Sequence, residues 1–116
     1  MRPLQIRLPL PGFVSILHRV SGAALFLALP LLLYWWQQSV GSFNTYSALS
    51  SLFSHWFLKL VLIGLLWGFL HHLFAGIRHL LLDLDVGTDL ASARLSSKLV
   101  LGISIALTIL AGVRLW

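Results

Sequence analysis

Cysteine is absent from this chain of 116 residues, and its acidic side chains number three, all of them aspartate. Without thiolates the chain cannot ligate an iron–sulphur cluster, tether haem covalently or form a disulfide. Any redox group it holds is bound by histidine or by shape. Charge is also scarce: 9% of residues are charged, where a soluble domain carries about a quarter. With 59% hydrophobic residues, the composition is that of a membrane protein. The length allows about three spanning helices of ~20 residues and leaves no room for a separate soluble catalytic domain. The net charge of +5 does not mark a nucleic-acid partner, because the arginines stand singly near helix ends and form no polybasic face.

What is present divides into three apolar runs. Arg2-Pro3, Arg7 and Leu8-Pro9-Leu10-Pro11-Gly12 come first, and the prolines discourage helix until Phe13. Residues 1–19 therefore read as a cytoplasmic, interfacial lead-in. Span one is expected over 20–38, with a kink at Pro30 and the aromatic belt Tyr34-Trp35-Trp36 at its end. That belt, with no small-x-small cleavage site after it, favours an anchor over a signal peptide. Residues 41–54 read as a short polar loop without Lys or Arg. Span two is expected over 56–82, longer than a bilayer needs, with Lys59 snorkelling at its start. A second loop, 83–97, holds all three aspartates, and Asp89 or Ser92 is placed to cap a short helix there. Span three is expected over 98–115, with Gly102, Ser104, Thr108 and Gly112 available for close helix contacts.

The fold class expected is thus all-α integral membrane, a single domain over 1–116 with three transmembrane helices. Arg2, Arg7 and Arg19 precede span one, and Arg78, Arg94 and Lys98 flank the second loop, against Lys59 and Arg114 at the other face. The positive-inside bias puts the N-terminus in the cytoplasm and the C-terminus outside.

The most informative stretch is Gly64 to Asp83. At 100° per residue, Gly64, Gly68, His72, Gly76, His79 and Asp83 share one side of a helix whose remainder is Leu, Phe, Ile and Trp. A strip without side chains, with an imidazole at its centre, suits a flat cofactor such as haem. The same imidazole has two other readings: a hydrogen bond to a neighbouring helix, or a proton relay. The glycines alone also suit plain helix packing. His71 lies 100° around the helix, beside the strip, so His72 is preferred as ligand. His55 belongs to the outer loop, and His18 and His79 are expected nearer the cytoplasmic boundary, His79 about 10 Å from His72. No second histidine of this chain is then expected to face His72 at its depth, and a partner subunit must supply the other axial ligand.

Near the same boundary, Ser15 and Arg19 are i and i+4, so they share a helix face. A hydroxyl beside a guanidinium suits a quinone carbonyl. His18 and Arg19 suit anionic groups such as haem propionates, and equally serve as positive-inside anchors. His79 suits propionates or proton relay, while Arg78 and Asp83 read as helix-end charges.

Together these residues resemble a known family. The motifs are Arg2-Pro3, then Ser15-Ile16-Leu17-His18-Arg19-Val20-Ser21-Gly22, then His72-x3-Gly76-Ile77-Arg78-His79-x3-Asp83, and a closing span with Gly102-x3-Ala106-x3-Leu110-Ala111-Gly112-Val113. They resemble, over nearly the whole chain, the cytochrome b membrane-anchor subunit of succinate dehydrogenase, respiratory complex II, of the short bacterial type. Leu8-Pro9-Leu10-Pro11 stands where many members carry Ser-Pro-His.

The resemblance implies one half of a two-subunit helix bundle in the bacterial inner membrane. Haem b would be shared with a second transmembrane anchor. His72 would be this chain's axial ligand to the haem iron, with Gly68, Gly76, His18, Arg19 and His79 around the haem. Ser15 and Arg19 would line the ubiquinone site. It further implies a flavoprotein carrying FAD and an iron–sulphur subunit on the cytoplasmic face, so that this chain does no succinate chemistry itself. The rivals are a cofactor-free structural or assembly anchor, a fumarate reductase anchor, and a small transporter using His71, His72 and His79. The transporter needs more polar lining than spans one and three offer.

Overall fold

The structure, a computed structural model, describes residues 10–116. These form four helices: α1 (Leu10–Gly41), α2 (Phe43–Leu52), α3 (Trp56–Asp83) and α4 (Leu90–Leu115). There is no strand among the described residues. α1, α3 and α4 are each long and apolar enough to cross a membrane, so this is a multi-pass membrane protein.

Three expectations need correction. Residues 10–12 are already helical, ahead of Phe13, and the helix runs without a break through Pro30 to Gly41. Residues 10–19 are therefore part of the spanning helix itself. Arg2, Pro3, Arg7, Leu8 and Pro9 lie outside the described residues. The second correction concerns 41–54, which is not a loop but mostly the helix α2. Its start is a capping box: Ser42 Oγ accepts from the Thr45 N–H at 3.1 Å, and Thr45 Oγ1 accepts from the Ser42 N–H at 2.9 Å. Threonine here does what Glu or Gln usually does in this motif. α2 leaves Phe43 and Tyr46 exposed, while Trp35 of α1 meets Phe53 edge-on at 4.8 Å.

The third correction concerns 83–97. Residues 90–97 are not loop but the first turns of α4, which starts at Leu90 and not at Lys98. Asp89 caps this long helix, not a short separate one. Its Oδ2 accepts from the Ser92 N–H at 3.1 Å. The turn before it uses Asp85 and Gly87 at positive φ, 59° and 70°, conformations open to Asp and natural to Gly. At the opposite end Lys59 lies 5.4 Å from the Trp116 ring, a cation–π contact between α3 and the end of the chain.

The packing is inverted relative to a soluble protein. Leu27, Phe26, Val113 and Leu110 are each more than 60% exposed. The buried residues are Val14, Ala75 and Val100 together with six polar ones: Ser21, His71, Arg78, Ser97, Ser104 and Thr108. In lipid, apolar surface gains nothing by hiding from its surroundings, so small residues and polar contacts hold helices together. Val14, Ala75 and Val100 meet at the centre, one from each spanning helix. Ser97, Ser104 and Thr108 return their hydroxyl protons to carbonyls of α4 itself, so they sit buried without leaving a donor unmet. Gly112 admits Ile63 of α3, whose Cδ1 would lie 3.4 Å from a Cβ there, whereas Gly102 faces open space.

Candidate functional site

α3 presents two histidine-bearing faces. His71, Ala75 and Arg78 (i, i+4, i+7) are buried toward the middle of the bundle. His72, Gly76 and His79 have the same spacing one step round, and they meet α1.

On the α1 side, the His72 ring is fixed by the backbone of its neighbour. Its Nδ1 lies 3.1 Å from the His18 carbonyl oxygen and 3.3 Å from Ser21 Oγ. Ser21 also donates to that carbonyl at 3.0 Å. A carbonyl only accepts, so the proton of His72 is on Nδ1 and the lone pair is on Nε2. Nε2 has no hydrogen bond among the described residues, and the residue is half-buried. One nitrogen anchored by a carbonyl and the other left open is the arrangement that metal-ligating histidines share.

Gly22 makes room for this ring. A Cβ at Gly22 would stand 2.8 Å from His72 Cε1 and 3.3 Å from Nδ1. Ser21 and Gly22 carry no site role in the sequence reading, yet they position His72. Their signal was present in the Ser-x2-His-Arg-x-Ser-Gly motif, where both follow His18 on one turn.

His18 overturns one expectation. It was placed nearer the boundary than His72, with no second histidine at the depth of His72. Instead the two rings stack, centroids 4.2 Å apart and 8° from parallel, and His79 lies 4.9 Å beyond. Antiparallel packing lets a residue of α1 fall between two turns of α3, which spacing along one helix cannot reveal.

The glycine strip divides. At Gly64 and Gly68 an added Cβ would meet nothing within 4 Å, so the helix surface is open there. Gly76 is not an open gap, because a Cβ there would lie 3.5 Å from His18 Nε2. His18 packs against it at ordinary van der Waals distance.

Ser15 is half-buried and Arg19 is exposed. Val14, His18 and Ser21 mark the inward face of α1, and Arg19 points to the other side. The fold thus brings together His18, His72 and His79 but leaves Ser15 and Arg19 facing outward. Arg78 is not a helix-end charge: it is 5% exposed, and its Nε donates to Ser96 Oγ of α4 at 2.9 Å. His71 is wholly buried beside Trp67, ring centroids 5.2 Å apart, and neither nitrogen has a partner among the described residues.

Residues 3–111 match the family model described as succinate dehydrogenase/fumarate reductase transmembrane subunit. Three similar proteins are each named succinate dehydrogenase cytochrome b556 subunit. That of Coxiella burnetii is 38% identical over 110 residues, covering 93% of this chain and 87% of the relative. That of Paracoccus denitrificans is 32% identical over 104 residues, 90% of this chain and 80% of the relative. That of Rickettsia prowazekii is 34% identical over 97 residues, 84% and 75%. With helices that cross a membrane three times and a match from end to near end, this chain belongs to the family of succinate dehydrogenase and fumarate reductase transmembrane subunits.

Proposed function

We propose that this chain is the haem-binding membrane anchor of a bacterial succinate:quinone oxidoreductase, respiratory complex II. It lies in the inner membrane, N-terminus cytoplasmic and C-terminus periplasmic, in keeping with Arg19, Arg78, Arg94 and Lys98 at one end of the bundle. The single observation that carries the reading is the His72 imidazole, fixed through Nδ1 and open at Nε2.

The residues present fit haem b. His72 would hold its iron through Nε2, and the bond from Nδ1–H to the His18 carbonyl keeps the ring oriented and makes the ligand more basic. The bare backbone at Gly64 and Gly68 permits close approach alongside. His18 and His79 would balance the propionates, whereas Arg19, expected there from the resemblance, faces the other side of α1. A second transmembrane anchor would supply a further ligand. Haem b, when bound, would supply a one-electron redox centre.

Ubiquinone is the substrate at the outward face of α1. Its reduction takes two electrons, delivered by an iron–sulphur subunit, and two protons from cytoplasmic water. Ser15 Oγ–H donates to one quinone oxygen, and the Arg19 guanidinium stabilises negative charge developing on it. FAD and the oxidation of succinate to fumarate belong to a flavoprotein partner. Since the matched family covers both succinate dehydrogenase and fumarate reductase, the reverse direction is the second reading. The quinone of the host membrane separates the two.

The test is a reduced-minus-oxidised spectrum of the purified complex, wild type beside His72→Leu. Loss of the haem bands from an assembled complex is the expected result. An unchanged spectrum would overturn the ligand assignment, and a wild-type complex with no haem bands would favour a cofactor-free anchor.

A further inference from the structure

On the far side of α3 from His72, a cavity of about 340 Å³ opens between α3 and α4. Its lining runs from Gly87 in the turn past Leu82 and Leu99 to Ile103. Almost everything lining it is apolar, with Arg78, Ser92 and Ser96 as the polar side chains. Arg78 is 5% exposed, and among the described residues its guanidinium makes one hydrogen bond, Nε to Ser96, and no ion pair. All three aspartates of the chain lie among those residues. A desolvated cation at the edge of a membrane is costly unless an anion meets it. The two terminal nitrogens of Arg78 remain to receive one.

We propose that this cleft is a binding site for an anionic phospholipid. The phosphodiester would be held by the terminal nitrogens of Arg78, a fork suited to phosphate oxygens. One acyl chain would lie along the apolar wall. The dimensions agree: Ser96 to Ile103 is seven residues, about 10 Å of helix, and one leaflet of hydrocarbon is about 15 Å. The tail thus runs inward from a headgroup near the boundary. A lipid is favoured over a partner subunit because the second anchor must approach His72 from the α1 side. That choice rests on the haem reading; the charge and shape of the cleft do not.

The test uses the complete complex, purified, delipidated and offered phosphatidylglycerol or phosphatidylcholine, with bound lipid counted by native mass spectrometry. The wild type is expected to retain one phosphatidylglycerol at least tenfold more tightly than phosphatidylcholine. Arg78→Gln should abolish that preference, and Leu99→Trp, which fills the slot without touching the charge, should lower retention at least tenfold. Equal binding of the two lipids overturns the proposal, as does full retention by Leu99→Trp. Displacement by millimolar inorganic phosphate would also overturn it, marking a free-anion site. Haem bands recorded in parallel keep this outcome separate from the ligand assignment, since loss of lipid with intact haem bears on the cleft alone.

Discussion

His71 and His72 are neighbours in the chain and opposites in circumstance. The 100° between them turns His72 toward α1, where a carbonyl takes one nitrogen and the other stays open. It turns His71 into the middle of the bundle, where both nitrogens are buried without partners among the described residues. A ligand needs an anchor and an access route, and His72 has both. His71 has neither. What the pair teaches is that an intramembrane histidine is informative through its hydrogen bonds more than through its burial.

The sharpest way to break this contrast is to exchange the roles. His72→Leu should remove the haem bands from the assembled complex, whereas His71→Leu should leave them in place; bands lost equally in both variants would refute the distinction. Next in size comes quinone reduction. Arg19→Ala should lower it about a hundredfold, as losing one charge-stabilising donor commonly does, while succinate oxidation by an artificial dye survives. Ser15→Ala should cost about tenfold, the worth of one hydrogen bond. If dye reduction fell as far as quinone reduction, an assembly role would be favoured.

Gly22 sharpens the same contrast from the α1 side. Gly22→Leu overpacks the His72 ring at a cost of about 1–3 kcal/mol and should lower haem content and shift the midpoint potential. Gly102→Leu, built into open space, should do neither. His71→Leu, by contrast, should leave thermal stability unchanged or raised, since removing a buried polar group with no partner relieves its desolvation cost.

The smallest effect is at the α4 cap. Ser92, through its side chain and then its backbone N–H, holds the Asp89 carboxyl below the usual carboxylate range. A carboxyl depressed in the folded state contributes stability above its unfolded pKa, and that contribution disappears as pH falls through the folded value. Thermal melts between pH 7 and pH 3 should therefore show a slightly shallower acid decline for Asp89→Asn than for the wild type.

Much of the fold was legible because lipid imposes blunt rules. Three apolar runs of sufficient length read as three spanning helices, and Asp89 as a cap, from local chemistry alone. α2 was missed because its capping box uses Thr45 in place of the usual Glu or Gln, in a segment rich in serine. Helix over 10–12 was missed because Pro11 and Gly12 read as breakers, yet both lie within α1. At the site, helix spacing singled out His72. It missed Ser21 and Gly22, whose importance lies in what they do for a ring 51 and 50 residues away.

By itself the sequence determined solvent, span number and which histidine lies on the glycine strip, since each follows from composition or from the period of a single helix. Only tertiary structure decided that His18 stacks on His72 and packs beside Gly76, and that Arg78 turns inward to Ser96. Those depend on how antiparallel helices interlock, and periodicity within one helix carries no information about the register of its neighbour.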